Sequence, residues 1–450
     1  MQRPNILYIH SHDTGRYVQP YGYAVPTPNI QRLAEEGVLF RQAFCASPTC
    51  SPSRACLLTG QYAHNNGMLG LAHRGFSLND YSHHLLHTLR RVGYVSALAG
   101  VQHIANMFPV PWQAIGYDMY LGDPPSPKAG LDIPDNQAHL AAVDFLTSSP
   151  PQPFFLSVGF KETHRQFPPL DEEAVNPDYV QPPAPLPDVP AVREDTARFL
   201  LSARSLDAKM GAVFDALERS GLAENTLVIC TTDHGLAFPH MKCNLTAHGT
   251  GVMLILRGPG GFSGGKVIDA LVSQIDIFPT LCDLLEIPQP EWLQGVSLLP
   301  LVRGEAAEVR AEVFAEVNFH AAPEPMRSVR TRRWSYIRRF DERSRPVLPN
   351  VDDGPSKSFL LEHGWGEIAP PAEALYDLAL DPNERHNLTG CPGYEEVAAE
   401  MRLRLQRWME ATHDPLLEGP LTPPPGATLN DPDGLSPSHG PYLDTGSGRA

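Results

Sequence analysis

Short apolar runs separated by polar segments recur between residues 5 and 256 and predict the strands of a buried sheet. The runs cover Asn5–Ile9, Tyr94–Gly100, Phe154–Phe160, Thr226–Cys230 and Val252–Leu256. Polar residues follow the first four runs directly or within a few positions. Ligands of open α/β sheets bind at the carboxyl ends of strands, so these polar segments are where we look for chemistry.

Two segments between the runs have helical patterns. Thr27 is the predicted N-cap of a helix that begins at Pro28 and stops at Gly37. Arg193–Ser220 is predicted to be a long amphipathic helix whose apolar face belongs to the core rather than to a cofactor site. The Pro-rich residues 166–192 have no helical period and are predicted to form a long loop at the rim of the site.

The pattern changes after residue 310. Short strand-like runs separated by turns precede a helix predicted from Tyr394 to about Ala411. Residues 416–450 are rich in Pro, Gly, Ser and Asp and are predicted to form a loosely ordered tail. The sequence therefore predicts a catalytic domain over 1–310, a small C-terminal subdomain over 311–415 and a tail over 416–450.

Composition excludes some classes of partner. The 450 residues are 42% hydrophobic and 19% charged, which is ordinary for a globular protein. The formal net charge of −16 argues against a surface that binds nucleic acid or an anionic membrane. An anionic substrate would therefore need a locally positive pocket.

The N-terminus and the cysteines bear on location. Met1-Gln2-Arg3-Pro4 runs directly into the first strand, so we expect no signal peptide, and no run is long enough to span a membrane. The seven cysteines are scattered and form no CxxC pair. Reduced thiols and a cytoplasmic location are the expectation.

The segment Cys50-Ser51-Pro52-Ser53-Arg54 carries the strongest chemical signal. Pro52 suits the first turn of a helix, so Cys50 is predicted at a helix N-terminus, where backbone N–H groups favour an anion. Arg54 adds a guanidinium about one turn later. These residues alone leave two interpretations open, which are a reactive side chain beside an anion pocket and a buried Cys in a helix cap.

This segment, continued by Leu58-Thr59-Gly60, resembles the signature of the sulfatase family. The resemblance extends over residues 3–415, and Asn65–Met68 with Pro325–Arg327 are most similar to the heparan N-sulfatase (sulfamidase) branch. It implies an alkaline-phosphatase-like α/β fold. A large, mostly parallel mixed sheet is flanked by helices, and a small C-terminal antiparallel sheet carries one helix. It also implies that Cys50 is converted to formylglycine, whose hydrated aldehyde is the nucleophile.

Metal ligands are expected at two strand ends. His12 and Asp13 follow the first strand, where the family has two adjacent Asp residues. Asp233 and His234 follow the fourth strand and match the family's second metal pair. The resemblance implies one divalent ion, Ca²⁺. A His ligand at position 12 fits Zn²⁺ or Mn²⁺ better than Ca²⁺, and the alternative that His12 does not bind the ion stays open.

The resemblance also implies residues that contact the sulfate. His103 matches a family His that contacts the formylglycine, but Val101 stands where the family usually has a sulfate-binding Lys. His164 is the candidate general acid for the leaving group. Lys242 is at the spacing of a second sulfate-binding cation. The plainer alternatives are an ordinary His at a strand end for His103 and a solvated surface side chain for Lys242. His320 and Arg327, in a polar loop, are further candidates for substrate binding.

Three functions remain open at this point. The main hypothesis is an exo-acting sulfatase that releases inorganic sulfate from the ester or sulfamate of a sulfated carbohydrate or another small sulfate ester. Its partners would include a formylglycine-generating enzyme, with no nucleic acid or membrane, and an oligomer is compatible. The second hypothesis, a phosphate or phosphonate ester hydrolase of the same superfamily, is favoured by His12 and Val101. The third is a non-catalytic scaffold that binds sulfated glycans.

Overall fold

The computed structural model describes residues 3–105, 112–122 and 137–445. A large sheet forms the centre of the chain within these ranges. Its strands are β1 (Asn5–Ser11), β2 (Val38–Phe44), β3 (Val95–Gly100), β4 (Met119–Leu121), β5 (Phe154–Gly159), β6 (Thr226–Thr232), β7 (Leu254–Arg257) and β8 (Lys266–Ser273). Their order across the sheet is β4-β3-β5-β1-β6-β7-β2-β8.

The sheet is parallel except for β7, which runs antiparallel to both β6 and β2. All seven residues of β1 are buried, and so are all seven of β6, because helices cover both faces. Alternate side chains of β1 enter different cores, with Ile6 and Tyr8 on one face and Leu7 and Ile9 on the other. The α/β class that the resemblance implies is confirmed.

Helices flank the sheet and its extension. They are α1 (Pro28–Glu36), α2 (Cys50–Thr59), α3 (Ala63–Asn66), α4 (Leu85–Arg91), α5 (Trp112–Ile115), α6 (Ala138–Thr147), α7 (Pro190–Arg219), α8 (Ala247–Thr250), α9 (Ile277–Leu284), α10 (Leu299–Arg303), α11 (Pro355–Glu362) and α12 (Glu395–Ala411). The long helix predicted from residue 193 begins three residues earlier, because Pro190 suits its first turn. Thr27 is the N-cap residue of α1, but its hydroxyl accepts from the backbone of Gln19 instead of capping the helix.

A second sheet begins at Val313. It contains β9 (Val313–Phe319), β10 (Pro323–Arg330), β11 (Trp334–Arg339) and β12 (Glu373–Asp377), in the order β12-β11-β10-β9, and every pairing is antiparallel. Helix α12 packs Met401, Leu405 and Trp408 into a core shared with β10, β11 and the C-terminal half of α2. The expected small antiparallel sheet with one helix is confirmed.

The prediction of a loosely ordered tail is wrong for residues 416–445. Ala427 and Leu429 are buried in the main core, and Asn430 accepts a hydrogen bond from Arg74 at 2.8 Å. Composition misled here because a Pro-rich segment can be ordered by tertiary contacts without regular structure. Residues 446–450 lie outside the described residues.

Two further comparisons concern strands and thiols. Strands β2 and β8 were missed because Arg41 and Gln42 interrupt the apolar run of the first and the N-terminal half of the second is exposed. All seven cysteines are free thiols, as expected. None of the described helices combines the length and the apolar character that crossing a bilayer would require.

Candidate active site

The carboxyl ends of four parallel strands bring the predicted site residues together. His12 and Asp13 follow β1, and Asp233 follows β6, which is paired with β1 along its whole length. His103 follows β3, and the ring centroids of His12 and His103 are 5.6 Å apart. His164 follows β5, with its ring centroid 5.4 Å from that of His12. The topology therefore concentrates these residues at one edge of the sheet, as expected.

Two fully buried carboxylates form the floor of the site. The backbone N–H groups of Asp13 and His234 both donate to Asp233 Oδ1, at 2.8 and 2.9 Å. Asp13 has φ of 51°, a left-handed conformation that is rare for a residue with a side chain. Burial alone would raise the pKa of Asp233, but His234, Arg54 and His12 hold it well below its usual range. The group is therefore an anion.

The two histidines beside these carboxylates are set up to act as ligands. His234 Nδ1 lies 3.0 Å from its neighbour's carbonyl oxygen, which assigns the proton to Nδ1 and leaves a lone pair on Nε2. That Nε2 atom is 3.3 Å from Asp13 Oδ1. Burial, with the charge of Arg54, lowers the pKa of His12 to about 4, so its ring is neutral near pH 7. Neutral imidazole is the form that binds metals.

A divalent cation fits this donor set. His12 Nδ1 is buried and makes no hydrogen bond, although it lies 3.0 Å from Asp233 Oδ2 and 3.9 Å from Asp13 Oδ1. Ligand atoms of His12, Asp13, Asp233 and Cys50 all lie within 4.8 Å of one another. An ion among them would satisfy the orphaned nitrogen and offset the paired carboxylates. The ammonium group of Lys242 lies 3.1 Å from Asp13 Oδ2. We name Asp13, Asp233, His12 and Lys242 the catalytic cluster.

Cys50 is the first residue of α2, as predicted, and it faces this cluster. Its Sγ lies 3.4 Å from His234 Nε2 and 4.0 Å from Asp13 Oδ1. Burial raises the pKa of the thiol well above its ordinary value, and the attraction of Lys242 does not offset this. The unmodified side chain is therefore a neutral thiol, which is a weak nucleophile.

Arg54 lies one turn further along α2 and is almost fully buried. Its guanidinium donates to Asp233 Oδ2 at 3.0 Å and to the Ser11 carbonyl oxygen at 2.9 Å. It also contacts Nδ1 of His10, an inward-facing residue of β1. The charge of Arg54 is thus fixed beneath the carboxylates. His10, which the sequence did not single out, holds it there.

His103 belongs to a pair of imidazoles. Its Nε2 is 3.0 Å from Nδ1 of His73, and the two rings stack with centroids 5.3 Å apart. His103 has φ of 55°. Burial lowers the pKa of both rings, that of His73 to about 3, so both are neutral and share one proton along this contact. Sequence reasoning missed His73, because no spacing links it to the strand ends.

Lys242 is a buried cation and not the solvated surface side chain of the plainer alternative. Its Nζ lies 3.1 Å from Asp13 Oδ2 and 3.1 Å from Asp352 Oδ2, and the side chain is 2% exposed. Burial alone would lower its pKa, but the two carboxylates raise it well above its ordinary value. Cys243, with φ of 61°, donates its backbone N–H to Pro48 and so ties this loop to the segment before Cys50.

His164 stands at the open side of the site, with its side chain 32% exposed. Its Nδ1 contacts the carbonyl oxygen of Arg165, which assigns a proton to Nδ1 and directs Nε2 toward the site. Nε2 is 3.9 Å from Asp13 Oδ2. A protonated His164 can therefore donate from Nε2 to a leaving group there.

The structure places the two further candidates for substrate binding, His320 and Arg327, in different surroundings. The charged and titratable neighbours of His320 include Lys242, Asp352 and His234, which places it beside the site. Arg327 instead donates to Asp414 through Nε and Nη2 and lies 3.4 Å from Glu316, with no exposure to solvent. Its placement gives no support to substrate binding.

A structural role follows for Arg327. Glu316 also accepts from His64 at 2.9 Å. We name Arg327, Asp414, Glu316 and His64 the Arg327 cluster. This cluster ties β9 and β10 to helix α3 and to the segment after α12.

Val101 follows β3 at the position where the family usually has a sulfate-binding Lys, so this position supplies no positive charge to the site. It is buried, and its backbone N–H donates to Gly159. Asp352 is a third residue of the site, after His10 and His73, that sequence reasoning missed. It lies in the irregular segment before α11, more than a hundred residues after Lys242, and only the tertiary fold joins them. A single carboxylate in an irregular segment gives no periodic signal.

Comparison with known proteins agrees with this arrangement. The sulfatase family profile matches residues 4–287, and the profile "N-sulphoglucosamine sulphohydrolase, C-terminal" matches residues 242–358. N-sulphoglucosamine sulphohydrolase of Homo sapiens is 30% identical over 447 residues, covering 88% of each chain. An ulvan-active sulfatase of Formosa agariphila is 26% identical and covers 92% of this chain and 76% of its own.

Solved structures share the fold. A candidate sulfatase of Bacteroides thetaiotaomicron VPI-5482 superimposes with a TM-score of 0.71 at 22% identity, covering 97% of this chain and all of its own. The fold and the site thus define a hydrolase of alkaline-phosphatase-like architecture. The chain belongs to the sulfatase family, and its reaction is the hydrolysis of sulfate ester or sulfamate bonds.

Proposed function

We propose that this enzyme removes a sulfo group from a saccharide, using Cys50 in its formylglycine form and one divalent cation. The observation that carries the proposal is the convergence of Cys50 Sγ, the two buried carboxylates and the orphaned His12 nitrogen at one strand edge. A buried neutral thiol has little use as a nucleophile itself, which favours a role as the precursor of a modified residue.

The substrate class rests on the relatives. The sulfamidase-type C-terminal profile and the human N-sulphoglucosamine sulphohydrolase support a sulfated amino sugar, with an N-sulfo group as the first bond to test. Lys242 and Arg54 supply the local positive charge that an anionic substrate needs in a chain of net charge −16.

The roles of the side chains follow from their geometry. Asp13, Asp233, His234 and His12 would hold the cation, which when bound polarises the sulfo oxygens and lowers the pKa of the nucleophilic hydroxyl. The formylglycine hydrate supplies that hydroxyl. Arg54 keeps Asp233 ionised and oriented.

Three further side chains complete the site. Lys242 donates to a sulfo oxygen. His164, protonated at Nε2, gives its proton to the departing oxygen or nitrogen. His103 exchanges the proton of the attacking hydroxyl group. The ion itself follows from the donors, since the nitrogen of His12 favours Mn²⁺ or Zn²⁺ where an all-oxygen set would favour Ca²⁺.

Mass spectrometry of the tryptic peptide Gln42–Arg54, from protein made in its native host, tests the proposal. We expect Cys50 as an aldehyde or its hydrate and Cys45, in the same peptide, as a thiol. The same preparation should hydrolyse glucosamine N-sulfate and 4-nitrophenyl sulfate. An unmodified Cys50 in a host that modifies other sulfatases, or faster cleavage of an aryl phosphonate than of either sulfo compound, would overturn it.

A further inference from the structure

Asp352 is a carboxylate whose hydrogen-bonding capacity is largely unused. Its side chain is 17% exposed, and Oδ2 lies 3.1 Å from Lys242 Nζ. That oxygen is buried and accepts no hydrogen bond, and no other hydrogen bond to Asp352 is present among the described residues. A carboxylate offers about four acceptor positions, so most of those of Asp352 remain for a ligand.

The surroundings place Asp352 on the leaving-group side of the reacting centre. Lys242 Nζ lies 3.1 Å from Asp13 Oδ2 and 3.1 Å from Asp352 Oδ2, so a single ammonium group lies between the two carboxylates. The other charged or titratable groups that face Asp352 are His164, His320 and Arg165. A sulfo group bound at the cation site beside Asp13 would therefore direct its leaving group toward Asp352 and His164.

The other neighbours do not satisfy this carboxylate. Arg165 is engaged elsewhere, since Nη1 and Nη2 donate to Asp195 at 2.9 and 2.8 Å. His320 is 6% exposed, and its buried Nδ1 has no hydrogen-bond partner. Asp352 and His320 thus lie beside each other at this end of the site, and each has a buried polar atom without a hydrogen-bond partner.

We propose that Asp352 accepts hydrogen bonds from hydroxyl groups of the saccharide residue that bears the scissile sulfo group, with His320 beside it as a second contact. The inference rests on the proposed function and specifies the substrate. The negative charge of Asp352 also disfavours a second sulfo group on the same side, because like charges in a partly buried site repel strongly. The preferred substrate residue then carries one sulfo group and free hydroxyls.

The substitution Asp352→Asn tests this with three substrates. 4-Nitrophenyl sulfate has no sugar hydroxyls, glucosamine N-sulfate has several, and glucosamine N,6-O-disulfate adds a second sulfo group. We expect kcat/KM for glucosamine N-sulfate to fall about tenfold, mainly through KM, because a charged acceptor becomes neutral. Activity on the aryl sulfate should fall by a clearly smaller factor, because only the contact of Asp352 with Lys242 is weakened for that substrate, and the disulfate should gain relative to the monosulfate.

Asp353→Asn is the matched control. Asp353 accepts from Lys357 at 2.8 Å and from Ser436 at 2.5 Å, so its carboxylate is already partnered away from the site. It should leave all three rates unchanged.

Two results would overturn the inference. An equal loss on all three substrates in Asp352→Asn would mean that Asp352 acts only by placing Lys242. Wild-type enzyme that cleaves the aryl sulfate but neither saccharide would also overturn it, while leaving the sulfatase activity intact. Wild-type enzyme that cleaves none of the three would instead contradict the proposed function on which the inference rests.

Discussion

The catalytic cluster and the Arg327 cluster are both buried ionic groups, yet only the first brings together the ligand atoms that a metal ion needs. In the Arg327 cluster, both oxygens of Asp414 accept from Arg327, and both oxygens of Glu316 accept hydrogen bonds. In the catalytic cluster, the nitrogen of His12 makes no hydrogen bond although it lies 3.0 Å from a carboxylate oxygen. His64 Nε2 of the Arg327 cluster is also buried without a hydrogen-bond partner, so an orphaned atom alone does not mark a binding site. What marks the catalytic cluster is that ligand atoms of His12, Asp13 and Asp233 lie with that of Cys50 within 4.8 Å of one another.

A lowered pKa does not separate the two clusters. His64 and Arg327 hold the pKa of Glu316 at about 2 against the effect of burial, and the pKa of Asp233 is also held well below its usual range. Positive φ does not separate them either. Asp13 and Cys243 have positive φ at or next to the catalytic cluster, and His413, next to Asp414 of the Arg327 cluster, has φ of 54°.

The largest expected effect comes from the nucleophile position. Cys50→Ala should lower kcat/KM for 4-nitrophenyl sulfate by at least about 10³-fold, because the modified side chain supplies the attacking oxygen. Cys56→Ala, in the same helix but packed against the C-terminal subdomain, is the control and should retain activity. Retained turnover in Cys50→Ala would assign the chemistry to a bound water instead.

Breaking the Arg327 cluster should affect stability without removing the chemistry. Arg327→Met leaves two buried carboxylates without their cation and should lower the free energy of unfolding by about 3–5 kcal/mol. Denaturant unfolding measures this loss. Arg345→Met, which removes an exposed pair with Glu367, is the control and should show little change. If Arg327→Met unfolds like the wild type but loses affinity for saccharide, Arg327 is a substrate ligand after all.

Metal preference should respond to His12. His12→Asp makes the donor set all-oxygen at this position, so Ca²⁺ should gain about tenfold or more in affinity relative to Mn²⁺ and Zn²⁺. The measurement is the rise in Tm when each ion is added to chelator-treated protein. Identical responses in wild type and variant would show that His12 is not a ligand.

Acid should weaken the Arg327 cluster in a defined range. The pKa of Glu316 is about 2 in the folded state, against 4.5 for the free group, so the unfolded chain binds the proton first as pH falls. The stability from this group is complete above about pH 4.5 and is lost between there and about pH 2. Glu316→Gln should therefore show a shallower fall of unfolding free energy between pH 5 and 3 than wild type, and an equal slope would contradict the assignment.

The smallest expected effect concerns the imidazole pair. His73→Phe should lower kcat by about tenfold with little change in KM, because one hydrogen bond that orients His103 is lost. His73→Asn, which keeps a polar partner, should recover part of the loss. A change confined to KM would indicate that His73 contacts substrate and does not position His103.

The sequence by itself determined the elements and the central residues of the site. Apolar runs located β1, β3, β5 and β6, and the motif around Cys50 with the polar strand ends identified the family. These signals are local, since a strand end or a helix N-terminus is encoded by adjacent residues.

Only the tertiary structure decided which distant residues complete the site. Lys242 meets Asp352 through a contact between separate loops, and Arg327 pairs with Asp414. His73, which lies between α3 and α4, contacts His103 beyond the end of β3. The order of residues 416–445 was decided in the same way, by burial of Leu429 in the main core. Such partners depend on side-chain packing between elements far apart in the chain, and no periodic pattern in the sequence records it.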